Sequence, residues 1–357
     1  MKITIIQFRF VLMLIITLLI NSCTSAQNTE KSIAPKTPSN FGFSKGGDVG
    51  WLPQMEATGY KFYDSDGTEK DCLQLLKDRG MNTIRLRVWV NPNSHKTNGH
   101  CSPAETVAMA IRAKNMGMRI MIDFHYSDTW ADPGQQTKPA AWANHSFAEL
   151  QNDVYKHTYD VLNALKLAGV TPEWVQVGNE IPSGMLWPEG KIENNQNWNQ
   201  LGALLNKGYE ATKAINSSIK VIVHVDQGND NGRFRWFFDN MKANNVKYDV
   251  IGMSYYPFWL KSDYTKTIAD LQNNLKDMVA RYGKEVMVVE VGGDYTLVQN
   301  TKDMLTAVIN AVKAMPNNKG LGVIYWEPQG AKNWSGYQLN AWQDNGKPSP
   351  ALDAFKN

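Results

Sequence analysis

Trp174-Val175-Gln176-Val177-Gly178-Asn179-Glu180 and Val286-Met287-Val288-Val289-Glu290 are two short apolar runs, each closing on a glutamate. Both read as strands buried on two faces, being too apolar and too β-branched for half-exposed ones. Strand packing gives no reason for a carboxylate at either end, since an unpaired buried charge is costly. Outward from these two runs the same pattern recurs. Strands are read at 43–49, 83–90, 119–124, 174–177, 220–225, 249–254, 286–289 and 322–326. Amphipathic helical stretches lie between them, among them 104–116, 147–168, 198–215, 264–282 and 302–315. Stop signals close several helices, at Arg79-Gly80, Met116-Gly117 and Tyr282-Gly283.

Eight strands, each followed by a helix or a long loop, predict parallel pairing with right-handed crossovers. The fold class expected is α/β, a (β/α)8 TIM barrel in one catalytic domain over 39–357. An open doubly wound sheet is the alternative, disfavoured because no Gly-rich phosphate turn follows the first strand. Barrel sites lie at the C-terminal strand ends. Polar and aromatic residues gather there: Asp48 after the first strand, His125, Ser127, Asp128 and Trp130 after the third, Asn179 and Glu180 after the fourth. Asp226 follows the fifth, Tyr255 and Tyr256 the sixth, Glu290 the seventh, Trp326 and Glu327 the eighth.

Composition narrows the function. The net charge of +3 comes without a polybasic cluster, which argues against a nucleic-acid partner. Twelve tryptophans either fill a large core or stack on sugar rings. Lys2 and Arg9, an apolar stretch from Phe10 to Ile20 and then Asn21-Ser22-Cys23 form a secretory signal over 1–23, too short to anchor by itself. Cys23 stands where a lipoprotein signal is acylated, and cleavage near Ala26 is the alternative. Residues 24–38 read as a flexible tether. The expected location is the bacterial envelope, lipid-anchored at the periplasmic or the outer face. Cys72 and Cys101 are too few for a disulfide framework, so two unpaired thiols are expected, with one bridge between them as the alternative. No Cys/His cluster has zinc spacing, and neither metal nor cofactor is expected.

Two carboxylates displayed by strand ends that face each other across a barrel mouth suit glycoside hydrolysis. One protonates the leaving oxygen and the other attacks or activates water. For each glutamate alone, a salt bridge to a barrel arginine is an equally simple reading. Arg85 and Arg87 alternate onto one face of the second strand, where a guanidinium facing inward keeps a carboxylate ionised.

Longer motifs sharpen this. Gly46-Gly47-Asp48-Val49-Gly50-Trp51-Leu52, Ile84-Arg85-Leu86-Arg87-Val88-Trp89-Val90-Asn91-Pro92 and Asp123-Phe124-His125-Tyr126-Ser127-Asp128-Thr129-Trp130-Ala131-Asp132-Pro133 are three of them. Gly178-Asn179-Glu180-Ile181, Leu186-Trp187-Pro188, Ser254-Tyr255-Tyr256-Pro257-Phe258 and Tyr325-Trp326-Glu327-Pro328 complete the set. Together they resemble glycoside hydrolase family 53, the arabinogalactan endo-β-1,4-galactanases, from about residue 42 onward. The resemblance implies a retaining reaction on β-1,4-galactan with Glu180 as acid/base and Glu290 as nucleophile. It carries over Asp48, Arg85, His125, Asp128, Trp130, Asn179, Asp226, Tyr256 and Trp326 as substrate-binding residues. Asn179 is expected at the 2-hydroxyl, Tyr256 on the nucleophile, Trp326 as a floor and Trp130 as a stacking face. His125 has either an orienting or a structural role. Asp48 and Asp226 either grip hydroxyls or pair with arginines.

Two departures stand out. Val291-Gly292-Gly293-Asp294-Tyr295 follows the nucleophile, where many relatives have Thr and an aromatic residue. The acidic loop that binds calcium in some relatives is missing. Trp334, Tyr337 and Trp342 in the last loop are expected to supply at least one further sugar platform. The competing readings are a mannanase or xylanase of the same clan, and a non-catalytic carbohydrate-binding surface protein.

Overall fold

The computed structural model describes residues 42–92 and 100–356. The signal 1–23 with Cys23 and the tether 24–38 lie outside the described residues. Eight strands form the closed barrel: β1 (Ser44–Asp48), β2 (Thr83–Val88), β3 (Arg119–Phe124), β4 (Trp174–Val177), β5 (Lys220–Val225), β6 (Val250–Tyr255), β7 (Glu285–Val291) and β8 (Gly320–Tyr325). Each pairs in parallel with the next, and β8 returns to β1 through Ser44–Gly322 and Gly47–Tyr325. The helices outside are α1 (Leu52–Ala57), α2 (Cys72–Asp78), α3 (Pro103–Asn115), α4 (Phe147–Leu167), α5 (Trp198–Ile215), α6 (Asn231–Ala243), α7 (Ile268–Tyr282) and α8 (Val298–Lys313). A 3-10 segment, Pro350–Lys356, packs on α8 where the last barrel helix belongs.

The expected helix ends hold. Gly80, Gly117 and Gly283 all adopt positive φ just past α2, α3 and α7. Ser102 with Glu105 and Ser146 with Glu149 form capping boxes that fix the starts of α3 and α4. The stretch read as a helix from Tyr264 is a 3-10 turn, Tyr264–Lys266, and α7 begins only at Ile268. Asp263 accepts the Thr265 amide and so closes that separate turn. Cys72 and Cys101 are both buried and are not bridged to each other.

Alternation sorts the strand residues into two environments. Ile84, Ile122, Val175, Val223 and Ile251 join the large cluster under the helices. Met121, Trp174, Ile222, Val250, Met287, Val289 and Ile324 form a separate cluster, which fills the barrel axis. Two positions further along the same inward face stand Arg85, Asp123, Gln176 and His224, each buried. The barrel interior is thus apolar at depth and polar at the C-terminal mouth.

Glu290 breaks the alternation. It lies inside β7 and not after it, which corrects the shorter strand read from sequence. Val288 pairs with Met253 of β6, but the next pair is Glu290 with Ser254. On the other edge Val288 pairs with Val323 of β8, and Val291 with Tyr325. Strand β7 therefore carries one extra residue, a bulge at Val289. Without it Glu290 would follow the inward Val289 onto the outer face. The bulge turns its side chain into the mouth beside Ser254.

Candidate active site

Arg85, fully buried, organises the mouth of the barrel. Its Nη1 donates to Asp48 Oδ2 at 2.7 Å and lies 3.0 Å from Glu290 Oε1. Its Nη2 donates to Asn179 Oδ1 at 2.9 Å and Gln176 Oε1 at 3.1 Å, and lies 2.9 Å from Asp123 Oδ2. One guanidinium on β2 thereby joins groups from β1, β3, β4 and β7. Arg87, two residues on, bonds to Glu327 and reaches Asp48 Oδ1 at 3.3 Å. Its guanidinium lies 4.5 Å from the Trp130 ring centre and 5.8 Å from that of Trp326. Gly50 leaves room for it: a Cβ there would come 2.5 Å from Arg87 Nη1.

Glu290 Oε2 accepts the Tyr256 hydroxyl at 3.1 Å. Burial pushes the Glu290 carboxyl up to about 7, with Arg85 and then Tyr256 pulling it back toward the ionised form. Glu180 follows β4 after Gly178 and Asn179. Gly178 takes φ +81°, and a Cβ there would meet Ile181 at 2.9 Å. Glu180 itself sits at φ 43°, a left-handed conformation that a side-chain-bearing residue rarely adopts. Tyr126, Gln227 and Glu327 are left-handed at the exits of β3, β5 and β8. Burial raises the Glu180 carboxyl well above the ordinary range, and the charge of Glu290 adds to this. Among the described residues its side chain has one hydrogen bond, from Ser254 Oγ, 2.5 Å from Oε1.

Both glutamates line a single cleft of about 520 Å³, together with Asp132, Asp226, Tyr256 and Trp326. Trp326 is held by Trp51 and Tyr337, whose ring centres lie 5.0 and 4.8 Å away. Tyr337 lines the cleft. Trp334 and Trp342 are instead buried, with their Nε1 atoms on Thr58 and the Gly346 carbonyl.

The remaining expected binding residues divide. Asp226 reaches the cleft and is also paired with Arg233, whose Nε and Nη2 donate at 2.9 and 3.0 Å. Asn179 gives one amide hydrogen to the Ala131 carbonyl at 2.8 Å and keeps a second for a ligand. Asp48 is spent on Arg85, Arg87 and the Gly50 amide, so the pairing alternative holds for it. His125 lies 3.0 Å from Asp123 Oδ2 and accepts the Ala131 amide, so it orients a carboxylate. Trp130 gives a face to Arg87 and edges onto Trp51 and Trp89. Asp128 stands apart from these. Its oxygens accept the Asn91 and Ala140 amides at 2.8 and 2.9 Å, tying two loops together outside the cleft lining. The sequence reading gave no role to Asp123, Gln176, His224 and Ser254. Their signal was a polar side chain on the inward register of an otherwise apolar strand.

Residues 44–355 match the sequence model described as Glycosyl hydrolase family 53. The chain belongs to this family. A Bacillus subtilis (strain 168) endo-beta-1,4-galactanase is 34% identical over 314 residues, which is 81% of this chain and 70% of that protein. The family 53 catalytic domain from Ignisphaera aggregans superposes with a TM-score of 0.81 at 32% identity, covering 90% of this chain and 97% of that one. A structure from a study of two fungal beta-1,4-galactanases gives a TM-score of 0.78 at 30% identity, over 88% and 99% of the two chains. Against this family 53 background, the chain is a glycoside hydrolase on a (β/α)8 barrel.

Proposed function

We propose that this chain is an endo-acting β-1,4-galactanase, cleaving the galactan of type I arabinogalactan with retention of configuration. One observation carries the division of labour: burial raises both carboxyls of the cleft, but a guanidinium and a phenol press against Glu290 and not against Glu180. Glu290 touches a guanidinium and a phenol, which favour its ionised form. Glu180 is raised by burial and by its neighbour, which favours its protonated form. Glu290 attacks the anomeric carbon as the bond from that carbon to the glycosidic oxygen breaks, and Glu180 gives its proton to the departing oxygen. In the second half Glu180 takes a proton from water, the water oxygen bonds to the anomeric carbon, and the ester to Glu290 breaks. Arg85 and Tyr256 hold the nucleophile in place throughout. Trp326 and Tyr337 supply apolar surface for the sugar face, and Asn179 supplies the spare amide hydrogen. The galactanase names of the relatives support the substrate.

Linear galactan, mannan and xylan offered to the purified protein test the substrate, with release expected from galactan. Glu290→Ala should abolish turnover. Glu180→Ala should lower kcat/KM on galactan by about 10²–10⁴-fold and largely spare kcat/KM on a galactoside whose leaving group needs no proton, since that ratio reports only the first half. Wild-type rates in either variant would refute the assignment.

The proposal extends to location. The signal over 1–23 with acylation at Cys23 would tether the barrel to the bacterial envelope through residues 24–38. Cys23→Ala should then move the protein from the membrane fraction to the soluble one. An unchanged distribution would remove the anchor.

A further inference from the structure

If Glu180 is the acid, one of its two carboxyl oxygens must carry the proton and meet the leaving oxygen. The buried network behind it decides which. Ser254 Oγ lies 2.5 Å from Glu180 Oε1 and 2.8 Å from His224 Nε2. Both Ser254 and His224 are buried inward-facing residues, on β6 and β5. Two N–H groups converge on the other ring nitrogen, His224 Nδ1. They are Gln176 Nε2 at 3.1 Å and the Glu180 main-chain amide at 3.4 Å. A main-chain amide donates only. Gln176 is fixed in orientation, because its Oε1 accepts from Arg85 Nη2 and its Nε2 donates to Asp123 Oδ1 at 2.6 Å. Asn179 Oδ1 also lies 3.2 Å from Nδ1, but it already accepts from Arg85 Nη2 at 2.9 Å, and the donor-only Glu180 amide decides the role of Nδ1. Nδ1 is therefore an acceptor. Burial, Arg85 and His125 keep the ring neutral, so its single proton sits on Nε2 and points at Ser254 Oγ. A hydroxyl has one hydrogen. With its oxygen receiving from His224, that hydrogen goes to Glu180 Oε1.

We infer that His224 and Ser254 are positioning residues that reserve Glu180 Oε1 as an acceptor and so place the catalytic proton on Oε2. Oε2 has no hydrogen-bond partner among the described residues and is left for the substrate. The inference rests on the reading of Glu180 as acid and goes beyond it by naming the oxygen and the device. After proton transfer the same hydroxyl stabilises the ionised carboxylate. The charged groups facing Glu180 are Glu290 from β7, Asp226 from the end of β5 and Arg85 from β2. The titratable groups facing His224 are Arg85 and His125.

Ser254→Ala and Ser254→Thr test this on two substrates, galactan and an aryl galactoside with a nitrophenolate leaving group. Loss of the hydroxyl bond disfavours ionised Glu180, so the basic limb of kcat/KM should move to higher pH in Ser254→Ala. Its kcat on galactan should fall about tenfold more than on the aryl substrate, with KM unmoved. Ser254→Thr should restore both, and His224→Leu should reproduce the alanine profile. Equal losses on both substrates with an unmoved limb would overturn the relay, as would failure of threonine to rescue. Nitrogen-15 spectra of His224 in the wild-type protein give a reading free of folding effects. A proton on Nε2 is expected, and a proton on Nδ1 overturns the inference. Glu180→Ala on the same substrates separates the two failures. If that variant behaves as a lost acid while Ser254→Ala does not shift, the relay alone is wrong. Equal losses of kcat/KM on the two substrates in Glu180→Ala would remove the acid assignment itself and the relay with it.

Discussion

Arg85 and Tyr256 set the state of Glu290 by contact, and both are single side chains placed by strand register. A hydrogen bond donated to a carboxylate stabilises its ionised form, so removing one raises the pKa. Tyr256→Phe should therefore move the acidic limb of kcat/KM upward by about 1 pH unit, since a bond to a charged group is worth about 1.5–3 kcal/mol. A pH-rate profile checks this, and a limb that stays or moves down contradicts it. At this scale the sequence was legible where chemistry is unusual. A glutamate closing an apolar strand, or two arginines alternating on one, has no bland explanation. It was illegible where one residue type serves several purposes. Asp48, Asp128 and Asp226 look alike in the chain, yet one neutralises two arginines, one caps loop amides and one reaches the cleft.

Among the elements, β7 shows how a small irregularity makes a site. A strictly regular strand would send Glu290 outward among the helices, where its charge would be buried without a partner. The extra residue at Val289 reverses that, and only the pairing with β6 and β8 reveals it. Helix α4 carries a different consequence. His157 is half-buried among Phe124, Trp142 and Tyr126, and its Nε2 is buried with no hydrogen-bond partner among the described residues. Burial lowers its pKa from 6.5 to about 4. Above the unfolded value the ring is neutral in both states and costs nothing. As pH falls below it, the unfolded chain binds a proton that the folded one refuses, so stability drops until the pH nears the folded value. The full effect is on the order of 3 kcal/mol. His157→Phe, which keeps the ring packing, should flatten the fall in urea stability between about pH 7 and pH 5. An unchanged slope would show that His157 does not drive it.

Over the whole molecule, the closed barrel gathers residues far apart in the chain. Asp48 and Glu327 meet across Arg87, and the loops after β3, β5, β6 and β8 wall one cleft. The cleft does not stop at the catalytic pair. Trp259, 62% exposed, borders it and also a second hollow of about 540 Å³ reaching Gly292, Gly293 and Leu297. Gly292 and Gly293 are closely packed there: a Cβ would come 2.9 Å from the Leu339 carbonyl oxygen at the first and 2.4 Å from Thr301 Oγ1 at the second. Phe258 meets Trp259 edge to face at 4.9 Å. An exposed aromatic between two neighbouring hollows suits a polymer that extends past the cut. Trp259→Ala should raise KM for galactan about 3- to 10-fold while leaving kcat within about twofold, as expected for an aromatic contact worth about 1 kcal/mol. Equal KM values for the two proteins on long galactan would exclude a contact there.

The chain by itself determined the eight-strand parallel plan, the helix stops and the identity of the two glutamates. These follow from period, apolarity and capping, which are local. Tertiary structure alone decided which way Glu290 faces, which aspartates are free for a ligand and which oxygen of Glu180 keeps its proton. Each of these depends on register and hydrogen-bond partners contributed by other strands. A side chain's direction and charge state are set by neighbours that the linear order does not name.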